Sequence, residues 1–247
     1  MSARSSAKSQ LPATTDEKPS VAAKALSQII ERGARVQAPA VKAYVDRLRQ
    51  HNPDAAPADI IKKLQTHYLA GVMASGAAVG SAAAIPGIGT LTALSAVAGE
   101  TVVFLEATSL YVLAVAEVHG IPADHRERRR ALVLAVLVGD ESKHAVADLL
   151  GPGRTSGAWM ADGAATLPLP AVSQLNSRLL RYFVKRFALK RGAIAFGKLL
   201  PVGIGAVIGG WGNRLMGKRI IANAHNAFGT PPPRWPAALH VLPGAQD

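Results

Sequence analysis

The stretch YLAGVMASGAAVGSAAAIPGIGTLTALSAVAG, from Tyr68 to Gly99, contains 32 residues without one Lys, Arg, Asp or Glu. Small residues (Ala, Gly and Ser) make up most of it, while the β-branched and aromatic residues that strands favour are few. Such a composition predicts closely packed helices. Pro86 and two glycines interrupt the stretch at IPGIGT (Ile85–Thr90), so we expect one helix to end there and another to begin.

The first predicted helix of this pair runs from about His67 to Ala84. Its small residues recur every four positions, which predicts one face for close helix–helix packing, at Gly76, Gly80 and Ala84. The second helix runs from about Thr90 to Val118. Crossing about 30 Å of hydrocarbon takes about 20 apolar residues. The first helix barely reaches that length, and the second carries carboxylates within it.

Those carboxylates, Glu100 and Glu106, allow two interpretations. Within a bilayer they would face the protein interior or water, as a possible polar functional site. In the other interpretation the helix is only partly immersed, and the two side chains lie near its wet side or pair with an arginine. We favour the second. If the pair of helices is a membrane hairpin, the basic N-terminal region and HRERRR (His125–Arg130) lie together on the cytoplasmic side.

The rest of the chain divides into two tails and a helical domain. Residues 1–19 are polar and lack an apolar core segment, so they predict a disordered tail rather than a signal peptide. The first predicted helix begins at Ser20. The helical pattern is interrupted at Pro39 and again at HNPD (His51–Asp54), and a further helix is predicted to begin at Pro57. The predicted helical domain covers residues 20–228, and a Pro-rich tail covers residues 229–247.

A second glycine-rich stretch, FGKLLPVGIGAVIGGWGNRLMGKRI (Phe196–Ile220), predicts a helix that begins after Pro201. Small or short polar residues recur every four positions along it and predict another close-packing face, at Gly205, Gly209, Asn213 and Gly217. A soluble core could use such a face as well, but we favour packing in lipid. The basic residues at its end suit anionic headgroups: Arg214, Lys218 and Arg219.

The segment VSQLNSRLLRYFVKRFALKR (Val172–Arg191) predicts an amphipathic basic helix. Its apolar face carries Leu175, Leu179, Phe183 and Phe187, and the opposite face carries Arg178, Arg181 and Lys185. Such a helix can lie in a headgroup layer, or it can be a core helix with a wet basic side. The sequence leaves both interpretations open.

The overall charge favours an anionic partner. The chain of 247 residues has a net charge of +12, and its basic residues lie on either side of the uncharged stretch. This arrangement indicates anionic membrane lipids. Nucleic acid fits less well, because only 5% of the residues are aromatic and no recognition motif is present. The chain has no cysteine, which excludes disulfides and thiolate chemistry.

Enzyme motifs are incomplete throughout the chain. Residues Gly192–Lys198 match the G-x-x-x-x-G-K part of a phosphate loop, but Leu199 replaces the Ser or Thr that binds magnesium. The histidines lack the spacing of a zinc helix, and no base–nucleophile pair is recognisable. We therefore expect a protein that is not an enzyme and that uses no cofactor or metal.

Two segments resemble the bacterial EcsC family. AIPGIGTL (Ala84–Leu91), followed by VVFLEATSLYVLAVAEVHGIPADHRERRRALVLAVLVGD (Val102–Asp140), resembles the middle of that family. RGAIAFGKLLPVGIGAVIGGWGNRLMGKRI (Arg191–Ile220) is similar to its C-terminal portion, in which Gly-Lys-Leu-(Val/Leu)-Pro precedes a glycine-rich helix. The resemblance covers roughly residues 57–225 and is strongest to the actinobacterial type. Glu100 and Glu106 depart from it, since the family has a mostly apolar stretch there.

The resemblance implies an all-helical, membrane-associated protein whose founding member is linked to an ABC transporter operon, with no established catalytic residues. Together these observations predict an all-α bundle of Gly/Ala-rich helices on the cytoplasmic side of the cell membrane. Its expected role is an accessory or interaction role, linked to a membrane transport complex or envelope system. The alternative is a soluble helical protein that binds a lipid or another apolar ligand in an Ala/Gly-lined cavity. The sequence does not determine the oligomeric state.

Overall fold

A computed structural model describes residues 38–83, 90–121, 123, 125–140, 142, 168–197 and 204–236. The regular structure in these ranges is entirely helical, which confirms the all-α prediction for this part of the chain. The helices are α1 (Ala38–Gln50), α2 (Pro57–Ala83), α3 (Thr90–Val118), α4 (Arg126–Val138), α5 (Leu169–Gly197) and α6 (Ile204–Phe228). The predicted helix after Ser20, the tail at residues 1–19, and Ala84 lie outside the described residues.

The starts of α2 and α3 fall where the sequence predicted them. Helix α2 begins at Pro57 with Asp59 in its first turn, and α3 begins at Thr90. Helix α4 ends at Gly139, which has a φ of +78°. One boundary differs from the expectation: α2 is continuous for 27 residues, rather than beginning afresh near His67. No helix-breaking residue lies between Pro57 and His67, so nothing interrupts the backbone hydrogen bonds there.

Helices α2 and α6 pack antiparallel along a seam of small residues. A Cβ atom added at Gly217 would lie 2.8 Å from Leu69 Cδ2, whereas one added at Gly210 would lie 3.7 Å from Ala77 Cβ. Between these two glycines, Asn213 Nδ2 donates a hydrogen bond of 2.8 Å to the carbonyl oxygen of Val72. The seam therefore brings two helix backbones close together and also joins them by a buried side chain.

The described seam follows the 3.6-residue period of the helix. The sequence placed the close-packing face at steps of four, but a step of four drifts by about 40° per turn of the helix. Gly217, Asn213 and Gly210 alternate steps of four and three, and so they stay on one face. The surroundings of Gly205 and Gly209 lie outside the described part. On α2, both Gly76 and Gly80 are buried.

Gly217→Leu should destabilise the protein by about 1–3 kcal/mol, because the new side chain overpacks the seam against Leu69 and Val72. The matched control is Gly212→Leu on the same helix, where a Cβ atom meets nothing within 4 Å. Urea unfolding followed by circular dichroism measures both free energies of unfolding. Equal losses in the free energy of unfolding of the two variants would show that the close contact at Gly217 does not cause the destabilisation.

Helix α3 is the central helix and packs against α1, α2, α4 and α6. The rings of Tyr68 on α2 and Tyr111 on α3 stack with centroids 4.8 Å apart. Thr108 Oγ1 donates to the Phe104 carbonyl oxygen at 2.7 Å, so the Tyr68 hydroxyl, 2.9 Å away, donates to Thr108. Burial raises the pKa of Tyr68, and it raises the pKa of Tyr111 to about 12. Both phenols are therefore neutral, as a buried position requires.

Helix α5 covers α4 with its apolar face. Val172, Leu175, Leu179 and Phe183 are buried, and so are the residues of α4 from Ala131 to Val136. At the edge of this contact, Asn176 Nδ2 donates to Glu127 Oε2 at 2.7 Å and to the Glu127 carbonyl oxygen at 3.0 Å. The described half of α5 is thus a core helix, the second of the two interpretations of its sequence. Lys185 and Phe187 have side chains outside the described part.

Part of the predicted Pro-rich tail belongs to the folded region. Trp235 Nε1 donates to the carbonyl oxygen of Ala55 at 3.1 Å, and the Arg49 guanidinium lies 4.1 Å from the centroid of the Trp235 ring. Pro236 lies so close to Gly120, which has a φ of +70°, that an added Cβ atom would be only 2.8 Å away. Residues 229–236 therefore close over the end of the bundle near α1.

Candidate membrane-facing surface

One end of the bundle contains an uncharged segment from each of three helices. Because α2 and α6 are antiparallel, the last part of α2 lies beside the first part of α6. The contact of Tyr68 with Thr108 and Tyr111 places the start of α3 at the same end. We call this region the uncharged end, and it consists of residues 70–83 of α2, 90–99 of α3 and 204–213 of α6.

Where the structure describes side chains at the uncharged end or next to it, the exposed ones are apolar or small. Trp211 is 58% exposed and Leu215, one turn further along α6, is 57% exposed. Both side chains point away from the seam, because Gly210, Asn213 and Gly217 occupy the opposite side of the helix. On α2 the exposed positions at this end are Ala70, Gly71, Ala74, Ala78 and Ser81. Val103 of α3 is also exposed.

Trp211 lies beside the exposed alanines of α2 and next to a cation. Its neighbour Gly210 packs against Met73 and Ala77, so the indole lies level with the middle of the exposed alanines of α2. On its other side the Arg214 guanidinium lies 5.5 Å from the indole centroid. A cation at this distance from a tryptophan ring is attracted by the ring's electron density. Apolar surface and positive charge therefore meet at one side chain.

A group of basic residues, the basic belt, follows directly below the uncharged end. On α6 it contains Arg214, Lys218 and Arg219, and on α2 it contains Lys62 and Lys63. All five side chains are exposed except that of Arg214, which is half-buried. Lys62 also pairs with Asp59 at 3.3 Å. The predicted surface residues of α6, namely Arg214, Lys218 and Arg219, thus lie next to the predicted close-packing face of the same helix.

The two predicted carboxylates have different surroundings. Glu100 is only 2% exposed and lies inside the protein rather than near a wet side. Glu106 is exposed, as the second interpretation has it, two residues before Thr108 and so about level with Tyr68 and the basic belt. The same helix therefore carries one carboxylate inward and the other to the surface.

The basic residues predicted on α5 lie elsewhere. Arg181 is exposed and Arg178 is half-buried, on a helix that packs against α4. The residues that sequence reasoning missed are Trp211 and Leu215, which the structure identifies by their exposure. A tryptophan three residues before an arginine, at the end of an apolar run, is a pattern typical of membrane interfaces and was the available signal.

One described segment, Gly99–Val118, is long and apolar enough to cross a membrane, and 61% of it is buried inside the bundle. A soluble core helix has the same properties, so this segment alone does not establish a membrane protein. Within the described ranges, no three His, Asp or Glu side chains cluster as ligands for a metal ion.

Comparison of the chain with protein-family models, with curated protein sequences and with solved structures found no match.

Proposed function

We propose that this protein is a non-catalytic membrane-associated protein that inserts its uncharged end into the cytoplasmic leaflet of the cell membrane. The observation that supports this proposal is the exposed pair Trp211 and Leu215 between an uncharged surface and the basic belt. Large apolar side chains bordered by cations are the arrangement that a helix at a membrane surface requires. The cytoplasmic side follows from the basic residues next to the apolar segments.

The dimensions favour insertion into one leaflet. Residues 204–213 of α6 span about 15 Å and residues 70–83 of α2 about 21 Å, at about 1.5 Å per residue. The hydrocarbon core is about 30 Å thick, so these segments reach about its middle. The only span-length segment described, in α3, is 61% buried, and α3 packs against α1, α2, α4 and α6. For α3 to cross the bilayer in contact with lipid, these helices would have to move away from it.

The basic belt supplies attraction to anionic headgroups. Each Lys or Arg near an anionic surface contributes about 1 kcal/mol. With the apolar end inserted, Lys218 and Arg219 lie a turn or more beyond Trp211, at the depth of the headgroups. Arg214 joins the two layers, because its guanidinium lies 5.5 Å from the indole centroid of Trp211.

The competing function is a soluble carrier that holds an apolar ligand between Ala- and Gly-rich helices. The described seam gives it no support, since Gly210 and Gly217 bring α2 and α6 into contact instead of lining a space between them. The resemblance to the EcsC family supports a further part of the proposal, an accessory role beside a membrane transport or envelope system. That role adds a protein partner to the lipid partner.

Flotation of the purified full-length chain with vesicles tests the proposal. The chain should float with vesicles that contain anionic lipid, and salt should weaken the binding because the Debye length is only about 10 Å at 0.1 M. Changing Arg214, Lys218 and Arg219 together to Gln should weaken this binding by about 3 kcal/mol, or roughly a hundredfold.

The matched control is the triple variant Arg49→Gln, Arg181→Gln and Arg234→Gln, which removes the same charge from exposed positions on α1, α5 and the segment after α6. It should bind within about threefold of the unchanged protein, because Arg49 and Arg234 lie beside Trp235, at the opposite end of α2. If the two triple variants lose equal affinity for anionic vesicles, the net charge of the protein determines binding and the position of the belt does not. Recovery of the whole unchanged protein in the soluble fraction would contradict membrane binding and favour the soluble carrier.

A further inference from the structure

We propose that acidification releases residues 229–236, the C-terminal strap, from the bundle, and that His119 is the residue that takes up the proton. The strap lies where α3 and α6 end, away from the uncharged end. Three observations support the proposal: His119 lies beside both ends of the strap, its imidazole is half-buried against an apolar ring, and the charge that acts on it comes from a second histidine.

His119 lies beside both ends of the strap. Its imidazole stacks on the ring of Phe228, with centroids 5.5 Å apart and planes 23° apart, and Phe228 is the last residue of α6 before the strap begins. The next residue, Gly120, has a φ of +70°, and a Cβ atom added there would lie 2.8 Å from Pro236, which ends the strap. A movement of His119 therefore acts on the strap where it leaves α6 and where it meets α3.

The rest of the strap is held by contacts of one partly buried side chain. The Trp235 indole donates to the Ala55 carbonyl oxygen at 3.1 Å, and the Arg49 guanidinium lies 4.1 Å from its centroid. Exposed positions of the strap are Thr230, Pro233, Arg234 and Pro236. Segments with little buried surface open at a low cost in free energy. The strap therefore depends on its junction with His119 and Gly120.

A positive charge on His119 is unfavourable while the strap is closed. Burial lowers the pKa of the imidazole, and the nearby His225 of α6 lowers this pKa further. The ring face of Phe228 attracts a cation, but a half-buried imidazolium loses hydration that this contact does not replace. The other charged or titratable side chains on the elements that meet at this end are Glu117 of α3, Arg49 and His51 at the end of α1, Asp54 before α2, and Arg234 of the strap.

Release of the strap raises the affinity of His119 for a proton. Once the imidazole is hydrated, its pKa returns towards the ordinary value of 6.5. The released form then binds a proton at a pH at which the closed form does not, so acid favours release. The closed form has its full stability above pH 6.5 and loses stability as the pH falls below that value.

Trp235 reports release of the strap in the full-length chain. The other two tryptophans are removed for this purpose by Trp159→Phe and Trp211→Phe. Because the Trp235 indole is half-buried and hydrogen-bonded in the closed form, release should move its fluorescence emission to longer wavelength. We expect this shift as the pH falls from about 8 to about 5, at constant helical circular dichroism and reversed on return to the higher pH.

Three histidine variants assign the effect. His119→Phe keeps an aromatic ring against Phe228 but cannot titrate, so the emission shift should disappear. His225→Gln should reduce the shift, because burial alone then lowers the pKa of His119. The matched control is His51→Gln, which removes an exposed histidine whose Nδ1 is bonded to the Arg47 carbonyl oxygen, and it should keep the whole shift.

A shift of unchanged size in the His119→Phe variant, or no shift in the unchanged strap, would overturn the proposal. Loss of the helical signal over the same pH range would also overturn it, because the whole bundle would then unfold in acid. Gly120→Ala places a Cβ atom against Pro236 and should give the emission of the released form already at pH about 8. If that variant keeps the emission of the closed form, the junction does not hold the strap and the proposal is wrong.

Discussion

Replacing both Trp211 and Leu215 by Glu should abolish membrane binding and leave the helical fold unchanged. The two side chains expose on the order of 200 Å² of apolar surface, which is worth about 5 kcal/mol on transfer out of water. The two new carboxylates also repel anionic headgroups. Affinity for anionic vesicles should therefore fall by more than about a thousandfold. Because both positions are exposed, neither substitution disturbs the described core.

Flotation measures this loss, and circular dichroism checks the fold. The matched control is Leu169→Glu combined with Tyr182→Glu, two exposed apolar positions on α5, which is distant from the uncharged end in the contacts between helices. This control adds the same charge and should lose at most about tenfold, through long-range repulsion alone. If the two double variants bind equally well, Trp211 and Leu215 are ordinary surface residues and the proposed insertion is wrong.

Gly139→Ala should destabilise the protein by about 2–4 kcal/mol through backbone strain and a lost hydrogen bond. Gly139 ends α4 with φ +78° and ψ −138°, a conformation that side chains oppose. An added Cβ atom would lie 2.7 Å from Asn223 Nδ2, and that amide donates to the Val136 carbonyl oxygen at 2.9 Å. The methyl group would push the amide away, so α4 would lose its link to α6.

Gly71→Ala is the opposite case and serves as the control. Gly71 lies inside α2, is exposed, and has open space where a Cβ atom would be added. Alanine there should stabilise the protein by about 0.5–1 kcal/mol, because glycine has the larger loss of backbone entropy in a helix. Urea unfolding of the two variants gives both values. A Gly139→Ala variant as stable as the unchanged protein would show that α4 ends without strain.

The sequence predicted well where the physical cause is local. The starts of α2 and α3 depend on Pro57 and on the break at IPGIGT. Proline lacks a backbone donor and glycine tolerates positive φ, and both effects act within a few residues. The uncharged stretch and the basic residues beside it were visible for the same reason, since composition does not depend on the fold.

The sequence could not separate two uses of the same pattern. Helix α5 is amphipathic whether its apolar face meets lipid or another helix, and only the position of α4 shows that its described half is covered. In the same way Glu100 and Glu106 lie six residues apart on one helix. Which of them is buried depends on the directions from which α2 and α6 approach α3.

What the sequence by itself determined is the set of helices, their small-residue faces and the separation of uncharged from basic segments. Tertiary structure alone decided that α2 and α6 pack antiparallel through Gly210, Asn213 and Gly217. This packing brings the uncharged segments of α2 and α6 together at one end of the bundle. Tertiary structure also decided that Trp211 faces outward and that Trp235 binds back to Ala55. The physical reason is that local rules act along the chain, whereas exposure depends on which distant surfaces cover each other.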